Sequence, residues 1–253
     1  MKIISLAPSN TEILFALGAG EQIIARTAYC DYPPQALSIP KVGDWVNPNI
    51  REIKKLKPDL VITSTIVQAK LAENLKAAGL PVQHFDVRRL KDIFDSIQKI
   101  GELAGKSEEA KYLANSMLFQ FGEISKKANA RRPRIYIEEW HKPPFVSGNW
   151  IPELANIAGG EYEMAQTGEL SKEFANSELR KFDPEMIILS ICGIRCDASM
   201  IYNRKEWKKI SAVRRKQVHV FDDSLLNRPG PRLVSGCRKL AEAIGNYLKK
   251  EVK

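Results

Sequence analysis

Seven short runs of apolar and β-branched residues, at 2–6, 22–26, 59–63, 82–85, 134–138, 186–190 and 217–222, alternate with stretches whose apolar residues repeat at helical spacing. Strands separated by helices through short connections predict α/β units built on mostly parallel sheets. The first helix is expected at Ser9-Asn10-Thr11-Glu12, where Ser followed three residues later by Glu reads as a capping box before Ile13, Leu14 and Leu17. Gly18 and Gly20 would end it after about ten residues. Further helical patterns cover 49–56, 67–78 and 90–103.

The alternation breaks from Ser107 to about Asn129. This stretch has no proline and carries Ala110, Leu113, Met117, Leu118, Phe121 and Ile124 at mixed spacings of three and four. A helix of that extent would be roughly 35 Å long, enough to connect two lobes as a strut. After Arg131-Arg132-Pro133 the strand–helix order restarts, and a last helix is expected over 232–249. The predicted architecture is therefore an N-terminal α/β lobe at 1–106, a connecting helix at 107–130 and a C-terminal α/β lobe at 131–253, with no Gly/Ser/Pro-rich joint between them.

Charge narrows the partners. With 39 Lys and Arg against 30 Asp and Glu the chain carries a net charge of +9, which suits nucleic acid, an anionic membrane surface or an anionic ligand. The basic groups cluster at Lys126, Lys127, Arg131, Arg132 and Arg134, and at Lys208, Lys209, Arg214, Arg215 and Lys216. Neither cluster has interleaved aromatic residues or a reading motif, so both are expected to be solvated faces and nucleic acid is not expected as a partner. Cys30, Cys192, Cys196 and Cys237 have no paired zinc-type spacing and read as reduced thiols. No apolar run approaches the roughly 20 residues that span a bilayer. Met1-Lys2 leads directly into the first strand without a leader pattern, so the expectation is a cytoplasmic chain, or an extracytoplasmic one whose leader has been removed.

Ligands of open α/β sheets bind beyond the carboxyl ends of the strands, and the segments there are rich in rings. Tyr29 follows the second strand, Trp45 lies in Val42-Gly43-Asp44-Trp45, Trp140 closes the fifth strand, and Phe145 and Trp150 follow in Pro143-Pro144-Phe145-Val146-Ser147-Gly148-Asn149-Trp150. Large rings in loops line a ligand cleft or pack as local cores; here the cleft is expected, with Tyr32 and Trp207 as packing residues.

These residues stand within longer segments. Ile4-Ser5-Leu6-Ala7-Pro8-Ser9-Asn10-Thr11-Glu12, Tyr29-Cys30-Asp31-Tyr32-Pro33-Pro34, Lys57-Pro58-Asp59-Leu60-Val61-Ile62, Pro143-Pro144-Phe145-Val146-Ser147-Gly148, Ala158-Gly159-Gly160 and Arg228-Pro229-Gly230-Pro231-Arg232 closely resemble the cobalamin-binding proteins of ABC importers. That family belongs to the wider group of periplasmic receptors for corrinoids, haem and iron siderophores, and the resemblance runs from residue 2 to about residue 248. It implies two lobes joined by one long helix and non-catalytic binding of a metallated macrocycle, a corrinoid first, in the cleft between them. By motif, Tyr29 and Trp45 would line the N-terminal wall and Phe145 the C-terminal wall, with Arg228 beside the ligand; Trp140 and Trp150 are added from position. The chain also departs from the family. Ring positions expected after the third strand and before Arg228 are Ser64 and Leu225 or Leu226, and the acids that dock such receptors on a permease have Lys70 and Asn227 near their places. The pattern is also similar to leaderless relatives of these receptors.

Rival chemistries leave fewer traces. Only His84, His141 and His219 are present, on three separate strands or strand ends, so no bare metal site is expected; His219 reads as a satisfied, partly buried histidine, and His141 beside Trp140 as a candidate axial ligand to cobalt or iron. No nucleophile elbow, phosphate-cradling loop or His-Glu-x-x-His occurs. Glu138 and Glu139 must face opposite sides of their strand. Iron-siderophore or haem binding is the alternative, and an enzyme that modifies or metallates such a ring is the alternative of another class. No prosthetic group is expected, and the protein is expected to be a monomer whose partners are the ligand and a permease.

Overall fold

A computed structural model describes residues 1–251, which divide into two compact units. Unit 1 comprises residues 1–117 with Pro229–Pro231, and unit 2 comprises residues 118–228 and the chain from Arg232 onward.

Unit 1 is built from β1 (Ile3–Ser5), α1 (Pro8–Ala16), β2 (Ile23–Arg26), α2 (Ile50–Lys55), β3 (Leu60–Ser64), α3 (Ala69–Ala77), β4 (Val82–Phe85) and α4 (Leu90–Ala104). Its four strands are all parallel, in the order β2-β1-β3-β4. The two central strands are buried along their whole length, which is why they read as continuous apolar runs rather than alternating ones. Ile4, Leu6, Ala25, Val61, Ile53, Leu71 and Leu75 form the core on one side.

Helix α1 corrects the expected capping box. The N-cap is Ala7, Pro8 takes the first helical position, and Ser9 lies inside the helix. Proline is suited there because its missing N–H would have no intrahelical partner. Ser9, Asn10, Thr11 and Glu12 are all buried, and Thr11 Oγ1 is 2.7 Å from Ser5 Oγ on β1. Of the residues that looked like a cap, Thr11 is seated against the sheet and Ser9 lies beside Gly230.

Helix α5 (Ser107–Lys126) gives its first half to unit 1 and its second half to unit 2. Unit 2 continues with β5 (Ile135–His141), β6 (Pro144–Val146), α6 (Ile151–Ile157), β7 (Lys172–Glu173), α7 (Asn176–Phe182), β8 (Met186–Leu189), α8 (Ser199–Tyr202), α9 (Ser211–Arg214), β9 (Val218–Val220) and α10 (Leu233–Glu251). Its sheet has the order β7-β6-β5-β8-β9. β5, β8 and β9 are parallel, as expected, whereas β6 and β7 are antiparallel additions that the apolar periodicity did not reveal. Segment 140–146, read as a ring-bearing loop, is instead a hairpin.

On one side of β5 the buried Glu138 carboxylate takes both Arg204 Nη atoms at 2.6 Å and the Tyr136 hydroxyl at 2.9 Å. Arg204 stacks 4.2 Å from the centroid of the Trp207 ring, itself edge-on to Tyr136. A bidentate, hydrogen-bonded partner is what makes a buried carboxylate tolerable. Trp207 is the packing residue expected of it. Tyr32 is not, since 43 % of its surface is exposed. Nor is His219 satisfied: its Nε2 is buried without a partner.

Candidate functional site

Unit 1 carries its rings on the connection that follows β2, and unit 2 carries its rings at the carboxyl end of β5 and on β6. In unit 1, β2 ends at Arg26, a fully buried residue whose Nη1 donates to Thr27 O at 2.9 Å and Nη2 to Leu37 O at 3.1 Å. The guanidinium thus closes the base of the following loop. Cys30, also buried, lies 3.2 Å from Thr27 Oγ1 and donates to Ser5 O, and burial pushes its thiol pKa up. Between these anchors Tyr29 is half exposed.

The Tyr29 and Trp45 loops are tied to each other, Ala28 N donating to Gly43 O at 2.9 Å and Val42 N to Arg26 O at 2.9 Å. Gly43 has φ of 120°, and a Cβ there would lie 2.8 Å from Pro48 Cα, so the turn needs glycine. Asp44 Oδ1 then accepts from Val46 N and Asn47 N, an Asx turn that presents Trp45.

Gln68 fixes this arrangement, and nothing in its sequence context marks it. Its amide is fully buried; Nε2 donates to Leu6 O at 2.8 Å and to Trp45 O at 2.6 Å, and Oε1 accepts from Ser64 N at 2.8 Å. Connections after three strands are joined by one side chain. Two buried donors beside it stay without partners, the Trp45 indole N–H and the hydroxyl of Thr65, a residue held at φ of 63°. Ser64, where the resemblance expects a ring, is buried at the end of β3.

In unit 2, Trp140 and Phe145 are cross-strand partners in the β5–β6 hairpin, which puts both rings on one face of the sheet. Trp140 is 44 % exposed and its indole N–H donates to Lys142 O at 3.1 Å. His141 follows with its ring centroid 5.9 Å from that of Trp140, and its Nδ1 is buried without a partner. Trp150, placed with these rings by sequence position, is sealed into the unit: 4 % exposed, its N–H donating to Leu226 O at 2.8 Å. Leu226, the other position where a ring is expected, is itself fully buried.

Behind the ring pair lies a polar layer. The Glu139 carboxylate accepts from Ser171 Oγ, on the opposite side of β5 from Glu138, and burial raises its pKa. Cys192 lies beyond β8; burial, with the Glu139 and Asp223 carboxylates nearby, pushes its thiol up to about 12. Asn227 Nδ2 donates to Ser190 O at 2.6 Å and to Cys192 Sγ at 3.1 Å. Its amide therefore serves the interior, while Lys70 is exposed and pairs with Glu73 at 2.9 Å. Arg228 is half-buried beyond β9, and its charge adds to the Ser224 hydrogen bonds and Arg232 that hold the Asp222 carboxyl low against its partial burial.

Thiols held in the protonated form are poor nucleophiles. Among the described residues no three His, Cys, Asp or Glu side chains come together as a metal site. All four cysteines are free. Each unit thus keeps one exposed ring and one half-buried ring near its strand ends, Tyr29 with Trp45 in unit 1 and Trp140 with Phe145 in unit 2.

The model of the periplasmic binding protein family matches residues 3–225. The chain belongs to this family. The uncharacterized ABC transporter substrate-binding lipoprotein YvrC of Bacillus subtilis is 32% identical over 255 residues, covering 96% of this chain and 79% of that protein. Among solved structures, the periplasmic vitamin B12-binding protein BtuF of Vibrio cholerae superposes with a TM-score of 0.79 and 26% identity, covering 98% of each chain. The periplasmic heme-binding protein BhuT, in complex with two hemes, superposes with a TM-score of 0.84 over 98% of each chain; at 21% identity this likeness concerns the fold. The protein is thus a two-lobe α/β solute-binding protein, the architecture expected from its strand–helix alternation. No helix among the described residues is long and apolar enough to cross a membrane. The expectation of a cytoplasmic chain finds no support among these relatives.

Proposed function

We propose that this chain is the substrate-binding component of an ABC importer, acting outside the cytoplasm, and that its ligand is a flat metallated macrocycle, a corrinoid before haem or an iron siderophore. The observation that carries the reading is the set of rings near strand ends, exposed Tyr29 with half-buried Trp45 in unit 1 and exposed Trp140 with half-buried Phe145 in unit 2, in a chain 26% identical along nearly its whole length to a vitamin B12-binding protein. Broad apolar rings bind through stacking and area burial. The unpaired indole N–H of Trp45 and hydroxyl of Thr65 suit acceptors on the ligand's edge, and Arg228 suits an anionic substituent. Haem is the second reading because the buried Nδ1 of His141, beside Trp140, has no protein partner, and a turn of the ring would present the type of atom that ligates iron.

Titration with cobalamin, cobinamide and haem, followed by tryptophan fluorescence, tests this directly. Saturable quenching by cobalamin or cobinamide supports the corrinoid, and a shifted Soret band lost in His141→Ala supports haem. Silence with all three discards the macrocycle. Tyr29→Ala and Phe145→Ala are each expected to weaken binding about tenfold, the loss of one stacked ring.

A further inference from the structure

The rings of unit 2 lie at the carboxyl ends of its parallel strands, and the opposite end of the same sheet carries most of the chain's excess charge. Between residues 204 and 216 there are seven Lys or Arg and one acid, Glu206, in a chain whose total excess is 9. Arg204 is engaged with Glu138, and Arg215 with Tyr247 and Glu251. Lys205, Lys208, Lys209, Arg214 and Lys216 are exposed, as are Arg180 and Lys181 at the end of α7.

Packing fixes these segments together. Asp183, just after α7, accepts from Ser211 N and Ser211 Oγ, each at 2.8 Å. Ala212 N donates to Pro184 O at 2.9 Å, and Trp207 Nε1 donates to Asn176 Oδ1 at 2.7 Å. Glu206 is a single exposed carboxylate among the seven cations, and the other acids at this end have partners elsewhere: Glu178 accepts from Ala175 N, Asp183 holds Ser211, and Glu185 takes Arg131 and the Arg134 N–H. Among the described residues none of Arg180, Lys181, Lys208, Lys209, Arg214 and Lys216 forms an ion pair.

A cluster of unneutralised like charges repels itself and is relieved by an anionic surface. The surface in question is extended rather than a single small ion, because the six cations come from separate segments and none is buried in a cradle. Nucleic acid is the poorer fit. Trp207, the one ring in the basic segment, is 1 % exposed and covered by Arg204, so no platform exists for stacking bases, and α9 is a single turn, too short to read a groove.

We propose that this face of unit 2 docks on the anionic headgroups of a lipid bilayer. The inference goes beyond ligand capture and stands whatever the ligand is. Co-sedimentation of the full chain with phosphatidylcholine vesicles, with and without roughly one third phosphatidylglycerol, tests it. Binding is expected only to the anionic vesicles and is expected to vanish at about 0.5 M salt, where charges beyond a few ångströms are screened. Lys208→Glu, Lys209→Glu, Arg214→Glu and Lys216→Glu together should lower the partition coefficient about a hundredfold or more. The four glutamine replacements serve if circular dichroism shows that the reversed variant is unfolded. Equal binding to both vesicles, no binding to either, or undiminished binding by the folded variant overturns the proposal. So does tighter binding to duplex DNA than to anionic vesicles at the same ionic strength.

Discussion

Gln68 and Glu139 show how single buried side chains hold the two sets of rings. Removing the Gln68 amide with Gln68→Ala leaves two carbonyls and one N–H without their partner, and such groups cost about 1–3 kcal/mol each when they stay dry. A loss of about 3 kcal/mol is expected in urea unfolding, together with weaker ligand binding through Trp45. Gln68→Glu should rescue little, because a carboxylate would face two carbonyl oxygens. Glu139 has the opposite character. Its folded pKa is raised by burial, so the unfolded chain loses that proton at lower pH and folding weakens as pH rises above the ordinary carboxyl range. Glu139→Gln keeps an acceptor for Ser171 and removes the titration. The variant is expected to melt higher than the parent at pH 7 and equally below about pH 4, where both states are protonated; an equal gap at both pH values would contradict this.

The β5–β6 hairpin is the element that the sequence concealed. Parallel strands buried on both faces are continuous apolar runs, so β1, β3 and β8 were legible within a residue or so. β6 is three residues beginning at Pro144, and β7 is two exposed charged residues; neither has the length or alternation by which a strand is recognised. Tyr29, Trp45, Trp140 and Phe145 stand out in the sequence because large apolar groups are unusual beside turns, although Trp140 and Phe145 belong to strands. Gln68, Arg26 and Glu139 were not, since their roles come from contacts distant in sequence. Local sequence groups Trp150 with these rings for the same reason, and only the fold reveals Leu226 O as its partner. The hairpin also makes a prediction. Gly148 packs so closely on the next segment that a Cβ would lie 2.2 Å from Glu169 O and 2.7 Å from Ser171 N. Gly148→Ala must displace backbone, and a destabilisation of about 2 kcal/mol or more is expected by denaturant titration. It should also loosen Ser171 from Glu139.

Across the whole molecule, one histidine in each unit makes mild acid costly. His84 in unit 1 and His219 in unit 2 both have pKa values lowered by desolvation, His219 further by Lys250. Their folded forms favour neutrality while the unfolded chain takes up protons near pH 6.5. The stability they contribute is thus complete above that pH and is lost as pH falls through the lower folded values. Thermal melts should show a decline below about pH 6.5, and His84→Gln with His219→Gln should flatten it; an unchanged slope would assign the decline to carboxylates instead.

The four free thiols differ greatly in access. Cys30 and Cys237 are enclosed and Cys192 is held protonated, Cys192 and Cys237 each pushed up to about 12, which leaves Cys196, on the connection after β8, as the least shielded. A maleimide fluorophore should therefore attach to the native chain at one position without engineering. Its emission would report occupancy from a segment neighbouring Cys192 and Arg228.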